Sequence, residues 1–577
     1  MKRALLAVAA AIACLPWLAV AEDPPPASGP DTSAPALSDV QDLVFLGDTR
    51  PVYIRLHIRV DGKPLRVAWE EFLTSLFQYL DTNGDGVLSQ AELERAPKPA
   101  TLIQMLRGNY SNPNVPKDRP AMELGITLVG GKVTRDGLAN YYRISGVEAF
   151  YALIRDETSH EEGLTDVLFR ELDANKDEKL SKDELVRAAT VLHKLDLNDD
   201  EMISDEELLP SSNDMMANGA MSQQEKTVVL TDSSAFILLG PTDSPSRVAY
   251  PLISKYDKDD DQKLSRTEIN LEKAVFDQLD ADHDGFLDAK ELASFLKSQP
   301  VDAEVTIRLG NVTEDQVPLD FNGNVAAVAN AALRKLDNGF LSMTFGDALV
   351  ELGAETGTAP AYKSARQIIL AQYDAADEKL KRGFLDAKQA DRDPSLRGLF
   401  QQADRNGDGK LTREELVTYV DLLGKAVGSS AVLLVTDHGR SLFSLMNPHH
   451  DGRLRQRELR SAWTRVQPWD KNHDGFLERE ELPHQFDIYV SQGQSGGVIP
   501  AAATMARART ERRAAISKGP LWFQRMDRNG DGYVSMREFL GRKEEFQRID
   551  SDGDGLISPE EADRAEAKLK NLGGKQR

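Results

Sequence analysis

At 577 residues the chain is too long for a single hydrophobic core, so several domains are expected. Its 93 acidic residues against 70 basic ones give a formal net charge of −23. That balance excludes the basic grooves nucleic acid requires and suits cations instead.

Residues 1–21 read as a secretory signal, with Lys2 and Arg3 at the start, an apolar core from Ala4 to Leu18, and Ala19-Val20-Ala21 before Glu22. The core is too short to span a bilayer, and no other stretch approaches about 20 apolar residues. A secreted or periplasmic location is therefore expected. The single cysteine, Cys14, lies inside this segment. Ala-Ile-Ala-Cys offers a second reading as a lipoprotein box, in which Cys14 would carry a lipid anchor, but Ala-Val-Ala is the better-matched cleavage site. After that cleavage no thiol remains, so something other than disulfides must hold the fold. Residues 22–39, rich in Pro, Ser and Ala, read as a disordered tether.

From residue 40 the chain repeats itself. Leu43–Thr49, Phe236–Thr242 and the weaker Val432–Thr436 are β-prone runs of similar composition, and each precedes a series of acidic loops. They divide the chain into three expected modules, 40–230, 231–429 and 430–577. The acidic loops follow a twelve-residue pattern, with oxygen-bearing side chains at positions 1, 3, 5 and 9 and Glu at 12. Ca²⁺ is a hard cation that takes six to eight oxygens, and this spacing wraps a chain around one such ion. Glycine at position 6 permits the sharp turn, and an aliphatic residue at position 8 pins the loop to a core.

The first module holds Asp81, Asn83, Asp85, Ser89 and Glu92. It continues with Asp173, Asn175, Asp177, Ser181 and Glu184, then Asp196, Asn198, Asp200, Ser204 and Glu207. The second holds Asp257, Asp259, Asp261, Ser265 and Glu268, followed by Asp280, Asp282, Asp284, Asp288 and Glu291. Its last complete loop has Asp404, Asn406, Asp408, Thr412 and Glu415. In the third module come Asp470, Asn472, Asp474, Glu478 and Glu481. Asp527, Asn529, Asp531, Ser535 and Glu538 precede the final set, Asp550, Asp552, Asp554, Ser558 and Glu561. Glu178, Glu201 and Gln262 replace the position-6 glycine, which should strain the turn and weaken those loops. Three further stretches look degenerate. His57–Ala68 has Arg59 and Pro64 in the wrong places, Glu378–Gln389 has Leu380 and Arg382, and Asn447–Glu458 has Pro448, His449 and Arg455.

Apolar residues precede the complete loops at positions −4 and −1, as in Phe77/Leu80, Phe169/Leu172, Phe276/Leu279, Phe523/Met526 and Phe546/Ile549. This step marks one face of an entering helix. Within a doublet the loops start about 23 residues apart, which leaves room for one helix of about 17 Å between them. The expected form is helix–loop–helix–loop–helix, and it leaves open whether a loop pairs inside its doublet or with the module's other doublet. Gly125–Val129, Glu304–Leu309, Phe340–Phe345 and Phe486–Val490 read as strands. The expected fold class is mainly α: tandem helix–loop–helix doublets in three repeat modules, with short strands joining them.

The loops resemble those of the EF-hand calcium-binding family, most fully at Asp527–Glu538 and Asp550–Glu561, and the whole resembles an exported bacterial-type protein with many hands. The resemblance implies several bound Ca²⁺ ions. It adds a backbone carbonyl ligand at position 7, supplied by Val87, Lys179, Met202, Lys263, Phe286, Lys410, Phe476, Tyr533 and Leu556. It also implies bidentate coordination by Glu at 12, which favours Ca²⁺ over Mg²⁺, and water-mediated contact from position 9.

Enzymatic chemistry finds no support. Gly493–Gly497 matches a nucleophile-elbow pattern around Ser495, but Pro500 follows closely and no Asp/His partners accompany it. His283, His449, His450 and His473 fall inside loops at or near non-ligand positions. Arg507, Arg509, Arg512 and Arg513 on a predicted helix read as a solvated face. Loss of Lys2 and Arg3 leaves 68 bases against 93 acids, and nine Ca²⁺ ions would bring the charge of −25 to about −7. The expected function is an exported calcium-binding protein whose modules are ordered and stiffened by Ca²⁺. The alternative is a calcium-dependent sensor or adhesion module that binds a protein partner.

Overall fold

The structure, a computed structural model, describes residues 40–106, 132–210, 227–229, 235–239, 246–298, 301–312, 317–321, 332–336, 340–354, 360–378, 382–448, 451–492 and 518–573. The signal, Cys14, the tether, Gly125–Val129, His449 and His450, Gly493–Gly497 with Ser495, and the arginines of 507–513 lie outside these residues.

Two β-sheets form the centre. Pro51–Val60 is rich in β-branched and aromatic residues, and nearly every position is buried, as expected of a strand covered on both faces. It pairs antiparallel with Val40–Leu46 and parallel with Ala303–Leu309. Phe236–Leu239 and Leu319–Phe321 take the two edges. The second sheet has seven strands. At its middle Ala431–Gly439 lies between Phe150–Asp156, which runs parallel to it, and His484–Ser491, which runs antiparallel. The sheets share one apolar core across their facing surfaces. Phe45 and Phe236 of the first sheet meet Phe486 of the second at ring separations of 5.4 and 5.2 Å.

This arrangement corrects the mainly-α expectation. The described residues are 45% helical and 24% strand, and their strands form sheets of six and seven members. The physical reason lies in the linking segments. They do not act as local joints but are drawn from residues 40 to 491 into two sheets that bury each other, with helical layers packed on the outer faces. The stretches 40–230, 231–429 and 430–577 all supply strands to these shared sheets.

His57–Ala68 is likewise not a loop of the repeated kind. His57 sits in a strand, where its Nε2 lies 2.5 Å from Glu304. Asp61 and Gly62, with φ of 48° and 79°, make the tight turn back to Lys63–Pro64, and a helix begins at Leu65. Asp-Gly marks hairpin turns as readily as metal loops. Among the described residues no helix is long and apolar enough to cross a membrane.

Candidate metal centres

Each complete acidic loop hangs between an entering helix and a helix start. In seven loops the entering helix ends as the position-1 N–H bonds the carbonyl four residues back, as Asp81 does to Phe77 and Asp173 to Phe169, both at 2.9 Å, and Asp196 and Asp470 bond three residues back. Position 9 then caps the next helix. Ser89, Ser181, Ser204, Ser265 and Thr412 form capping boxes with Glu92, Glu184, Glu207, Glu268 and Glu415. The box folds the position-12 carboxylate back over the loop. One oxygen of Glu92 takes the Ser89 N–H and hydroxyl, and the other takes the Thr82 N–H and hydroxyl.

All nine loops are wound alike. The position-6 N–H donates to the position-1 carboxylate in every one, from Gly86 to Asp81 at 3.0 Å through Gly555 to Asp550 at 3.0 Å. The position-7 N–H donates to the position-5 Asp, as Phe286 does to Asp284 and Leu556 to Asp554. Glu178, Glu201 and Gln262 hold the same turn in the left-handed region, at φ of 64°, 61° and 62°. They keep the bond to position 1 at 2.9, 2.9 and 2.8 Å, so the strain is borne rather than relieved. At position 4, His283 and His473 are left-handed too, at 58° and 56°.

Ligand-type oxygens converge within 4.8 Å in three loops: Asp257, Asp259 and Glu268; Asp280, Asp282 and Glu291; Asp550, Asp552 and Glu561. Asp257, Asp470 and Asp527 each keep a buried Oδ1 without a hydrogen-bond partner. Such an oxygen is expensive to bury alone and suits a cation. Electrostatics point the same way. Burial, then the neighbouring charges of Asp527 and Glu538, pushes the Asp531 carboxyl well up, and burial with Glu538 raises Asp527. Glu92 goes the other way, to about 2: burial opposes ionisation, but N–H and O–H donors from Ser89 and Thr82 outweigh it. An oxygen-only set of carboxylates, amides and carbonyls at this spacing fits Ca²⁺.

Comparison with known proteins agrees. The EF hand family matches residues 74–96, 164–189, 271–296, 396–420, 521–540 and 543–561, each containing one of these loops. The chain carries EF-hands of the calcium-binding family at these six segments. It binds Ca²⁺. "Calcium-binding protein CML37" of Arabidopsis thaliana is 27% identical over 147 residues, which is 25% of this chain and 71% of that protein. "Calmodulin-like protein 5" of the same plant is 28% identical over 151 residues, 26% of this chain and 66% of the relative. No solved structure matches the chain significantly.

EF-hands work in pairs joined by a short antiparallel ribbon through position 8, and the mates here follow two rules. Three doublets pair internally: Leu264 faces Leu287, Leu385 faces Leu411, and Val534 faces Ile557. The other two doublets mate with each other. Leu180 faces Leu477, and Ile203 faces Leu454. The connecting backbone decides which rule applies. Between 257 and 280 Asn270 is left-handed, and between 527 and 550 the helix breaks over 539–542, so those chains fold back. At Gly541 an added Cβ would lie 2.4 Å from the Phe539 ring, so glycine is required there. In the 173/196 and 447/470 doublets, Arg187 and Ser461 stay near helical backbone angles. The two hands then stay at opposite ends of the connection and need outside partners.

The ribbon partner of hand 81–92 escaped the sequence reading. Leu88 is bridged to Val133, Thr134 caps the helix Arg135–Ile144, and Gly137 stands where the last ligand should be. The degenerate hands hold their shape by substitution. Gln389 Oε1 takes the Asp386 N–H at 2.8 Å where Glu would stand. In Asn447–Glu458 the Arg455 guanidinium sits 2.6 Å from Asp451, a fixed cation inside the loop. Bases at position 7 also reach the mate's position-5 or position-9 acids. Lys132 lies 2.7 Å from Asp85, Lys263 lies 2.5 Å from Asp284, and Lys179 pairs with Glu478.

Proposed function

We propose that this is an exported protein in which nine EF-hands, filled by Ca²⁺, order and stiffen the helical pairs around the β-sandwich. In each hand the ion is held by the side chains at positions 1, 3 and 5, the carbonyl at 7 and both oxygens of Glu at 12, with position 9 acting through water. The observation that carries the reading is the set of buried position-1 oxygens left without a partner at Asp257, Asp470 and Asp527, inside loops already wound for an ion. Binding energy then becomes folding energy, the role disulfides play in other exported proteins. Affinities on the order of 10⁻⁴–10⁻³ M would serve outside the cell. The segments 40–230, 231–429 and 430–577 are copies of one repeat folded into one body. Catalysis forms no part of this reading. Export predicts a mature protein that starts at Glu22, which N-terminal sequencing reads directly.

Native mass spectrometry should count nine ions, and chelation should abolish hydrogen-exchange protection across residues 520–565. A count near three, or unchanged protection, overturns the proposal. The alternative, a sensor that offers an apolar surface to a protein partner, draws on Leu521 and Leu540, which are 62% and 80% exposed on the last pair. It requires dye binding that rises with Ca²⁺.

A further inference from the structure

The last EF-hand pair has a core of its own. Phe523, Val534, Phe546, Ile557 and Ala562, with the half-buried apolar residues around them, all come from within the pair. Among the described residues, its hydrogen bonds and ion pairs with the rest of the protein gather at one place, on and beside the mated hands 196–207 and 447–458. Arg457 stacks over the Tyr533 ring at 4.9 Å and donates to its hydroxyl. Arg460 donates to the Asp554 carbonyl, and a Cβ at Gly555 would press on its guanidinium. From the other side Arg537 lies 2.9 Å from Asp199 and 3.8 Å from Glu201, and Asn529 Nδ2 donates to the Asp200 carbonyl at 3.1 Å.

We infer that the degenerate hand 447–458, with the helix that follows it, has become a docking platform for the C-terminal EF-hand pair, and that it holds the pair in its calcium-wound form. The inference rests on the calcium reading above. Two observations support it. The arginines touch a ring at position 7 and a carbonyl at position 5 rather than ligand carboxylates, so they recognise the wound loop and do not compete with the ion. Docking also covers loop 527–538: Gly530 and Gly532 are buried, whereas the equivalent Gly84 and Gly86 are exposed. There Asp531 is half-buried beside Asp527 and Glu538, whereas its equivalents Asp85, Asp284, Asp408 and Asp554 are exposed. Burying those carboxylates without a cation is strongly unfavourable, and Ca²⁺ removes the penalty. Docking and ion binding are therefore linked, and by reciprocity each strengthens the other. Loop 550–561 stays open, with Asp552 and Asp554 exposed, and should exchange its ion freely.

The test uses the full chain carrying Arg457→Ala with Arg460→Ala, and separately Arg537→Ala, which removes the ion pairs to Asp199 and Glu201 from the opposite side without touching a ligand residue. Both variants should keep the wild-type ion count by native mass spectrometry. Both should lose at least about tenfold in hydrogen-exchange protection at the Gly530–Tyr533 amides in saturating Ca²⁺, and one site should weaken about fivefold or more. Unchanged protection in both variants, or equal protection of the wild type with and without Ca²⁺, overturns the docking. The retained ion count separates that outcome from failure of the calcium reading, which would appear as ions missing from the wild type itself.

Discussion

Leu180 and Leu477 are register partners across a two-stranded ribbon, and both are fully buried. Each belongs to a loop whose nearest neighbour in sequence is mated elsewhere, so ion sites far apart along the chain share one joint. Leu477→Ala should cost about 2–5 kcal/mol, and it should weaken Ca²⁺ binding at 173–184 as well as at 470–481. Calorimetric titration beside thermal melts checks this. An effect confined to 470–481 would show that the mates act separately.

Relief of backbone strain should tighten a hand. Glu178 is exposed and left-handed at φ 64°, and Glu178→Gly should recover about 1 kcal/mol, roughly fivefold in affinity at that loop. An affinity equal to or weaker than wild type in the titration would rule the strain out as a factor.

The position-7 lysines set a second limit on affinity. Lys263 reaches Asp284, a ligand position of the mated hand, across the ribbon. An ammonium there opposes an incoming Ca²⁺, so Lys263→Met should tighten loop 280–291 severalfold at low salt. The gain should shrink as salt is raised. A gain that persists in high salt would point to packing instead of charge.

A part-buried histidine makes stability depend on pH. His438 lies between Glu161 at 3.2 Å and Asp487 at 3.0 Å. Burial disfavours its charge, but the two carboxylates prevail and lift it to about 10. The folded state therefore holds the proton more tightly than the unfolded one. The resulting stabilisation is complete below about pH 6.5 and is lost as pH rises toward 10. At saturating Ca²⁺ the Tm should fall over that window, and His438→Gln should flatten the fall. Parallel pH profiles for the two proteins would refute the assignment.

Removing the fixed cation of the degenerate hand should be costly without creating a site. Arg455→Ser frees Asp451, which is nearly buried, from its partner 2.6 Å away. Pro448 and Asn447 still spoil the coordination set. The expected result is a lower Tm with the ion count unchanged. A tenth ion in the mass spectrum would contradict it.

The loops were readable because their chemistry is local: six ligands within twelve residues, a turn residue and one apolar anchor. Even Gln262, a poor turn former, left Asp257, Asp259 and Glu268 convergent. The mates were not readable from spacing alone, since an equal step of 23 residues serves both pairing rules. The signal was one residue deep, in Asn270 and Gly541 against Arg187 and Ser461. The sandwich was missed for a different reason. Pro51–Val60 meets Ala303–Leu309 in parallel, and nothing in either strand announces a partner so far away. Asp61-Gly62 misled because a hairpin and a metal loop ask the same thing of the backbone. The partner of Leu88 was invisible because Gly137 stands three residues after the cap Thr134, where the complete loops carry Glu.

The exchange of mates between the 173/196 and 447/470 doublets also dictates when the molecule can assemble. Hands near residue 180 find their counterparts only after the chain has been made past residue 477, and the central strand Ala431–Gly439 waits similarly for His484–Ser491. Closing loops of that length is entropically slow, and it delays every contact that depends on them. Folding must therefore be late and concerted, and a chain that stops short of 447 leaves the first half with apolar ribbons and no one to take them.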